Sequence, residues 1–196
     1  MSNKVITISR QFGSGGRTVG KQVAEKLGIP CYDQELIQKI AEESGYCKDF
    51  VAEHSEHAAY GNWLSNAFAF RDYYGNSIQD KIWFAQLKTI VEIANKGPCV
   101  IVGRCADFIL AETADCLKVF IYADEKTKAK RIVEQYGESD QAPEKRLRDK
   151  DKRRAAYYQM YTDKKWGDFN NYDIALSTSA LGIDTCADII VELYNK

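Results

Sequence analysis

The strongest constraint in this chain is the stretch over residues 10–20, R-Q-F-G-S-G-G-R-T-V-G, in which three glycines fall within four successive positions. Before it, Val5-Ile6-Thr7-Ile8 is largely β-branched and reads as a buried strand; after it, Val19, Val23, Ala24 and Leu27 recur on one helical face. Glycine admits left-handed backbone and close approach, and a helix start carries unpaired N–H groups at the positive end of its dipole. Strand, glycine turn and helix in this order predict an α/β unit that brings phosphate against the backbone.

The rest of the chain extends that unit into a parallel sheet of about five strands. Gly28 and Pro30 end the first helix, and Cys31-Tyr32-Asp33 reads as a short strand delivering Asp33 to the edge that holds the glycine turn. Residues 34–43 read as helix. Residues 44–80 are polar and aromatic, and read as helices outside the sheet that cover a substrate. Ile82, Trp83, Leu87, Ile90, Val91 and Ala94 form a helical stripe that ends at Gly97-Pro98.

Residues 99–104 and 117–122 are apolar runs of the kind buried on both faces of a parallel sheet. A helix over 124–136 follows, carrying Lys126, Lys128, Lys130 and Arg131. From Lys145 the chain becomes K-R-L-R-D-K-D-K-R-R, either a solvated helix with i,i+4 pairs or a hinged arm that closes cations over a polyphosphate. A last strand over 173–178 and a closing helix over 187–193 complete the pattern. Ligands of such sheets bind at the carboxyl ends of the strands.

With 196 residues, 45% hydrophobic and 28% charged, the composition suits one domain over 1–196, with a helical subregion at 44–80 and a lid-like arm at 137–170. A net charge of −1 argues against a nucleic-acid or membrane surface. Six cysteines without a C-x-x-C pair read as reduced core thiols of a cytoplasmic protein. No apolar run is long enough to span a bilayer, and the chain enters its first strand with no room for a signal peptide. His54 and His57 lack a third metal ligand at fixed spacing, and the nearby aromatics Trp63, Phe68, Phe70, Tyr73 and Tyr74 read as local core or as a stacking platform.

Four stretches together resemble the cytidylate kinase-like family of P-loop nucleoside monophosphate kinases. The first is Ile6-Thr7-Ile8-Ser9-Arg10-Gln11-Phe12-Gly13-Ser14-Gly15-Gly16-Arg17, similar to that subgroup's variant phosphate loop. The second is Val100-Ile101-Val102-Gly103-Arg104-Cys105-Ala106-Asp107, similar to the segment that meets the substrate phosphate. Leu117-Lys118-Val119-Phe120-Ile121-Tyr122-Ala123 with Arg131 resembles the strand and helix leading into the lid, and residues 173–184 resemble the last strand and the loop near adenine.

The resemblance implies a three-layer P-loop NTPase fold of the nucleoside monophosphate kinase type, and ATP- and Mg²⁺-dependent phosphoryl transfer to a nucleoside monophosphate, CMP or dCMP first. It assigns Gly13, Ser14, Gly15, Gly16, Arg17 and Thr18, with Arg10, to ATP, and Thr18 to Mg²⁺ directly or through water. Asp33, Arg71, Arg104 and Asp107 are the acceptor-binding candidates. Arg17, Arg131, Arg148, Arg153 and Arg154 are the cations that would neutralise the transferred phosphoryl group.

Two positions depart from the family pattern: Gly16 stands where the P-loop lysine is expected, and Cys105 stands where the G-R-D aspartate is expected. Arg17 or Arg10 would then supply the missing cation, and Asp107 or Asp33 the missing carboxylate. Three other readings share these residues. They are a dinucleotide-binding domain, with Asp33 ending the second strand but Thr18 where its third glycine belongs; a non-catalytic nucleotide-binding module; and a kinase for another phosphorylated or hydroxyl acceptor.

Overall fold

The computed structural model describes residues 4–33, 36, 39, 78–112 and 114–196. Apart from Leu36 and Lys39, the helix expected over 34–43 and the stretch 44–77, with His54, His57 and Arg71, lie outside the described residues.

In chain order the described elements are β1 (Lys4–Arg10), α1 (Gly16–Leu27), β2 (Cys31–Tyr32), α2 (Ile78–Lys96), β3 (Cys99–Val102), α3 (Ala106–Ile109), β4 (Asp115–Tyr122), α4 (Glu125–Tyr136), α5 (Pro143–Thr162), β5 (Ile174–Ser177), α6 (Thr178–Leu181) and α7 (Ile183–Tyr194). A 3₁₀ turn at Phe169–Asn171 precedes β5. The five strands are parallel in the order β2-β3-β1-β4-β5.

Strand β1 is central because its side chains are apolar on both faces. Ile6 and Ile8 face Val19, Val23, Cys186 and Ile190 of α1 and α7, while Val5 faces Leu36, Ile90, Ile93 and Leu110. Val5, Ile6, Ile8, Val100, Ile101 and Val102 are wholly buried, and each contributes roughly 1.5–3 kcal/mol by leaving water. This makes three layers, helix, sheet and helix, as the family resemblance implies.

Element ends follow local chemistry. Gly28, at φ 65°, closes α1 by donating its amide to Ala24 O and Glu25 O. Asp124 caps α4 by accepting from Thr127 N at 2.8 Å, and these bonds hold its carboxyl down at about 2. Strand β3 stops at Val102, two residues short of the apolar run's end, because Gly103, Arg104 and Cys105 all turn left-handed.

The charged run from Lys145 lies inside the 20-residue helix α5. Leu147, Tyr157, Tyr158 and Thr162 bury one side of it, so the second half of the expected arm is anchored to the body. Among the described residues no helix is long and apolar enough to cross a membrane.

Helix α1 lies unusually close to the sheet at Gly20, where a Cβ would lie 2.9 Å from Val102 Cγ2 and 3.2 Å from Ile8 Cδ1. Neither neighbour has room to retreat. Gly20→Val is therefore expected to destabilise the fold by about 3 kcal/mol through overpacking, measured as a lower urea midpoint at unchanged slope.

Candidate active site

The carboxyl ends of the strands bring five segments to one edge. The loop between β1 and α1 is shaped by Gly13 and Gly15, at φ 74° and 80°, and by Ser14 Oγ, which donates to Gln11 O at 2.8 Å. Gly15 precedes α1 without a capping side chain; the Gly16 amide donates to Ser14 Oγ at 3.4 Å, and the next N–H groups of the helix keep their affinity for an anion.

The outer side of the loop is held by other elements. Arg131 Nη1 donates to Gly13 O at 2.8 Å, Thr178 Oγ1 to Ser14 O at 2.6 Å, and Lys128 Nζ to Gln11 Oε1 at 3.0 Å. Asp151 Oδ1 accepts the Phe12 amide at 2.7 Å, and the Phe12 ring stacks on Tyr136 at 5.8 Å. Burial pushes the Asp151 carboxyl upward, against the pull of the Phe12 amide and of Arg154, Lys128 and Arg10.

Asp33 arrives at this edge as the sequence predicts, immediately after β2. Its buried carboxylate pairs with Arg17 Nε at 2.5 Å and with Arg10 Nη2 at 4.0 Å. The Arg17 side chain is 53% exposed, whereas that of Arg10 is only 12% exposed and lies across Gly103.

Arg104 and Cys105 hold φ of 62° and 53°, which side-chain-bearing residues adopt at a cost of order 1–3 kcal/mol each. The turn is secured from below: Gln86 Nε2 donates to Arg104 O at 2.9 Å, and Tyr157 OH donates to Gln86 Oε1 at 3.1 Å. Such strain, over-determined by buried hydrogen bonds, is characteristic of a working site.

Two cavities open here. One is lined by Ser9, Arg10, Gly103, Arg104, Cys105, Arg154, Tyr157, Tyr158 and Trp166. The other is lined by the glycine loop from Arg10 to Thr18, except the buried Ser14, together with Gln135, Tyr136 and Arg154. Arg10 and Arg154 line both. Arg154 Nη1 donates to Arg10 O at 3.1 Å and pairs with Asp151 at 3.4 Å, and its guanidinium lies 5.6 Å from the Phe12 ring centre.

The remaining candidates sit elsewhere. Arg148 pairs with Glu125 at 3.4 Å on the surface, and neither it nor the half-buried Arg153 lines either cavity. Arg131 acts on the loop's carbonyl side. Thr18 lines the loop cavity. Asp107 lines neither cavity: it is 4% exposed and accepts from Tyr158 OH at 2.7 Å and Ser9 Oγ at 3.4 Å. Cys105 lies against Tyr157, Tyr158 and Trp166, an apolar place for a residue that stands in for an aspartate.

Asp151, Gln86 and the aromatic wall of Tyr157, Tyr158 and Trp166 are not among the sequence candidates, which include Lys128 only as one cation of its helix and Phe12 only as part of the loop stretch. The i,i+3 pairs Lys128–Arg131 and Asp151–Arg154 each share a helix face, and that spacing was the available signal. Five described cysteines are free thiols, and burial pushes Cys99 up to about 12 and Cys116 to about 11. Among the described residues no group of three or more His, Cys, Asp or Glu is placed to hold a metal ion.

Burial raises the Asp107 carboxyl above its ordinary value, against the hydrogen bonds from Tyr158 and Ser9. The folded chain then holds this proton more tightly than the unfolded one, so stability falls as pH rises from the unfolded value of 3.8 through the raised one. Asp107→Asn carries no such titration. Urea unfolding is expected to show the variant gaining on the wild type as pH rises above 3.8.

The sequence profile of the cytidylate kinase-like family matches residues 5–180. A curated cytidylate kinase from Pyrobaculum islandicum is 24% identical over 189 residues, covering 96% of this chain and 91% of that protein. Among solved structures, an uncharacterized protein from Eubacterium ventriosum superposes with a TM-score of 0.73 at 31% identity, over 98% of both chains. A shikimate kinase from Acinetobacter baumannii in complex with shikimate gives a TM-score of 0.55 at 16% identity, over 98% of this chain and 93% of that one. A gluconokinase from Sinorhizobium meliloti gives 0.53 at 16% identity, over 98% and 94%, so these two share the fold. The glycine loop, the parallel sheet order and the profile that spans nearly all of it agree: this chain belongs to the cytidylate kinase-like family.

Proposed function

We propose that the protein transfers the γ-phosphoryl group of ATP to a nucleoside monophosphate, with CMP or dCMP the first acceptor to try. The observation that carries this reading is the pair of cavities joined through Arg10 and Arg154. Phosphoryl transfer needs a donor and an acceptor in line, with positive charge where they meet, and little covalent chemistry from the protein.

In this reading ATP phosphates lie in the loop cavity, against the amides of Gly13–Thr18 and the start of α1. The acceptor phosphate lies in the other cavity, gripped by Arg104 from its strained turn with a fork that matches phosphate oxygens. Arg154 and Arg10 face the group in flight. Arg17 adds charge from the first turn of α1 and is oriented by Asp33. Arg131 and Thr178 keep the loop's carbonyls at Gly13 and Ser14 turned outward, which leaves its amides facing the phosphates.

The residues present suit Mg²⁺ carried in by the nucleotide rather than held in a protein cage. That cation keeps several waters and needs few protein oxygens, and the Thr18 hydroxyl on the loop cavity is the contact this chain offers. When bound, it neutralises phosphate charge.

The direct test is to incubate the protein with ATP and Mg²⁺ against CMP, dCMP, UMP, AMP, shikimate and gluconate, following ADP release and the phosphorylated product. ADP formed with a nucleoside monophosphate supports the reading; ATP binding with no acceptor turned over would sink it in favour of a binding module, and turnover of a hydroxy acid would redirect it. For the acceptor that works, Arg154→Ala is expected to lower kcat by roughly 10³-fold. Arg104→Ala is expected instead to raise the acceptor KM by about tenfold or more, since it removes charge-assisted hydrogen bonds from binding.

A further inference from the structure

Two of the loop's three departures from the P-loop pattern touch each other. The pattern G-x-x-x-x-G-K-[ST] has glycine first and lysine six residues later. With Gly15 on the pattern's second glycine, its first position is Arg10, its lysine position is Gly16 and its serine or threonine position is Arg17. In space these residues are in contact: a Cβ on Gly16 would lie 2.5 Å from Arg10 Cβ and 3.0 Å from Arg10 Cγ. Arg10 Cβ is bound to the backbone of the central strand and has nowhere to go. One side chain can leave the loop here, from position 10 or from position 16.

We propose that Arg10 is the phosphate-binding cation of this loop, moved from the lysine position to the loop's first position, and that Gly16 and Gly103 are glycine because its side chain occupies their space. The proposal rests on the phosphoryl-transfer reading above. From Gly16 the side chain runs over Gly103, where a Cβ would lie 1.9 Å from Arg10 Nη1, and on toward Asp33. It is mostly buried and lines both cavities. Asp33, at 4.0 Å, faces it before any nucleotide arrives. A guanidinium is always charged and bridges two oxygens at once, so it supplies from the rim what an ammonium supplies as a point charge. Arg17, the neighbouring alternative, is more than half exposed and lines the loop cavity but not the other.

The test is a reciprocal exchange in the full chain, read by ATP titration calorimetry and by thermal melting. Arg10→Met keeps the stem and removes the charge; it is expected to weaken ATP binding about tenfold or more with little change in melting. Arg10→Gln is the companion should Met disturb the fold. Gly16→Lys alone is expected to lower the melting temperature by roughly 5 °C or more, because two stems compete for one space. Arg10→Gly combined with Gly16→Lys should restore both melting and ATP affinity. Gly16→Ala should destabilise the wild type and do so much less in the Arg10→Gly background, where only the 3.2 Å approach to Ile121 Cβ remains.

ATP binding by Arg10→Met and Arg10→Gln as tight as wild type overturns the cation's role. An equal Gly16→Ala penalty in both backgrounds overturns the exchange of space. A wild-type protein that binds no ATP overturns the phosphoryl-transfer reading and the cation's role with it, and the melting cycle then reports on the exchange of space alone.

Discussion

Strand β1 is hydrogen-bonded along both edges and covered on both faces, and nothing at the site is independent of that. Its register with β4 runs from Lys4 opposite Asp115 to Arg10 opposite Ile121, and with β3 from Val5 opposite Cys99 to Ile8 opposite Val102. The Cα of Arg10 is therefore fixed relative to both neighbouring strand ends, to within the small play a packed core allows. A loop that leaves from a fixed point can be shaped by a few bonds. Here those bonds come from α4, α5 and the start of α6 as well as from Ser14 within the loop.

Electrostatic arrangement follows from this fixed frame. Asp33 and Asp151 each face guanidinium groups across the loop, and Lys128 is buried against Gln11. An uncompensated cluster of cations at this density would resist folding, because each charge leaves water without a partner. The two carboxylates answer that cost while leaving the guanidinium groups on the cavity walls. A phosphate entering the loop meets positive charge already ordered, and the protein has little reorganisation left to do.

The sheet was legible in the sequence because its central strands are largely buried and so appear as apolar runs: 99–102 is unbroken, and 117–122 is interrupted only by Lys118. The glycine loop was legible because left-handed backbone selects glycine, as it does at Gly13 and Gly15. The same rule hid the turn after β3, since Arg104 and Cys105 take that conformation with side chains attached. Asp151 was hidden for a different reason. It stands among charged neighbours along α5, and only the folded chain shows that it faces Phe12 N while Arg148 faces Glu125. Asp107 looked like a ligand in the second stretch, and its place under Ser9 and Tyr158 depends on contacts far away in sequence.

The burial of Leu147 near one end of α5 and of Tyr157 and Tyr158 near the other fixes the helix at two points. At about 1.5 Å of rise per residue these points stand roughly 15 Å apart. A rod pinned twice cannot pivot about either pin, so what lies between them keeps its station: Asp151 over Phe12 N and Arg154 over Arg10 O. Geometry thus divides one charged run between two tasks, the residues between the pins on the loop side forming a fixed wall of the cavities while Arg148, turned away toward Glu125, stays on the surface.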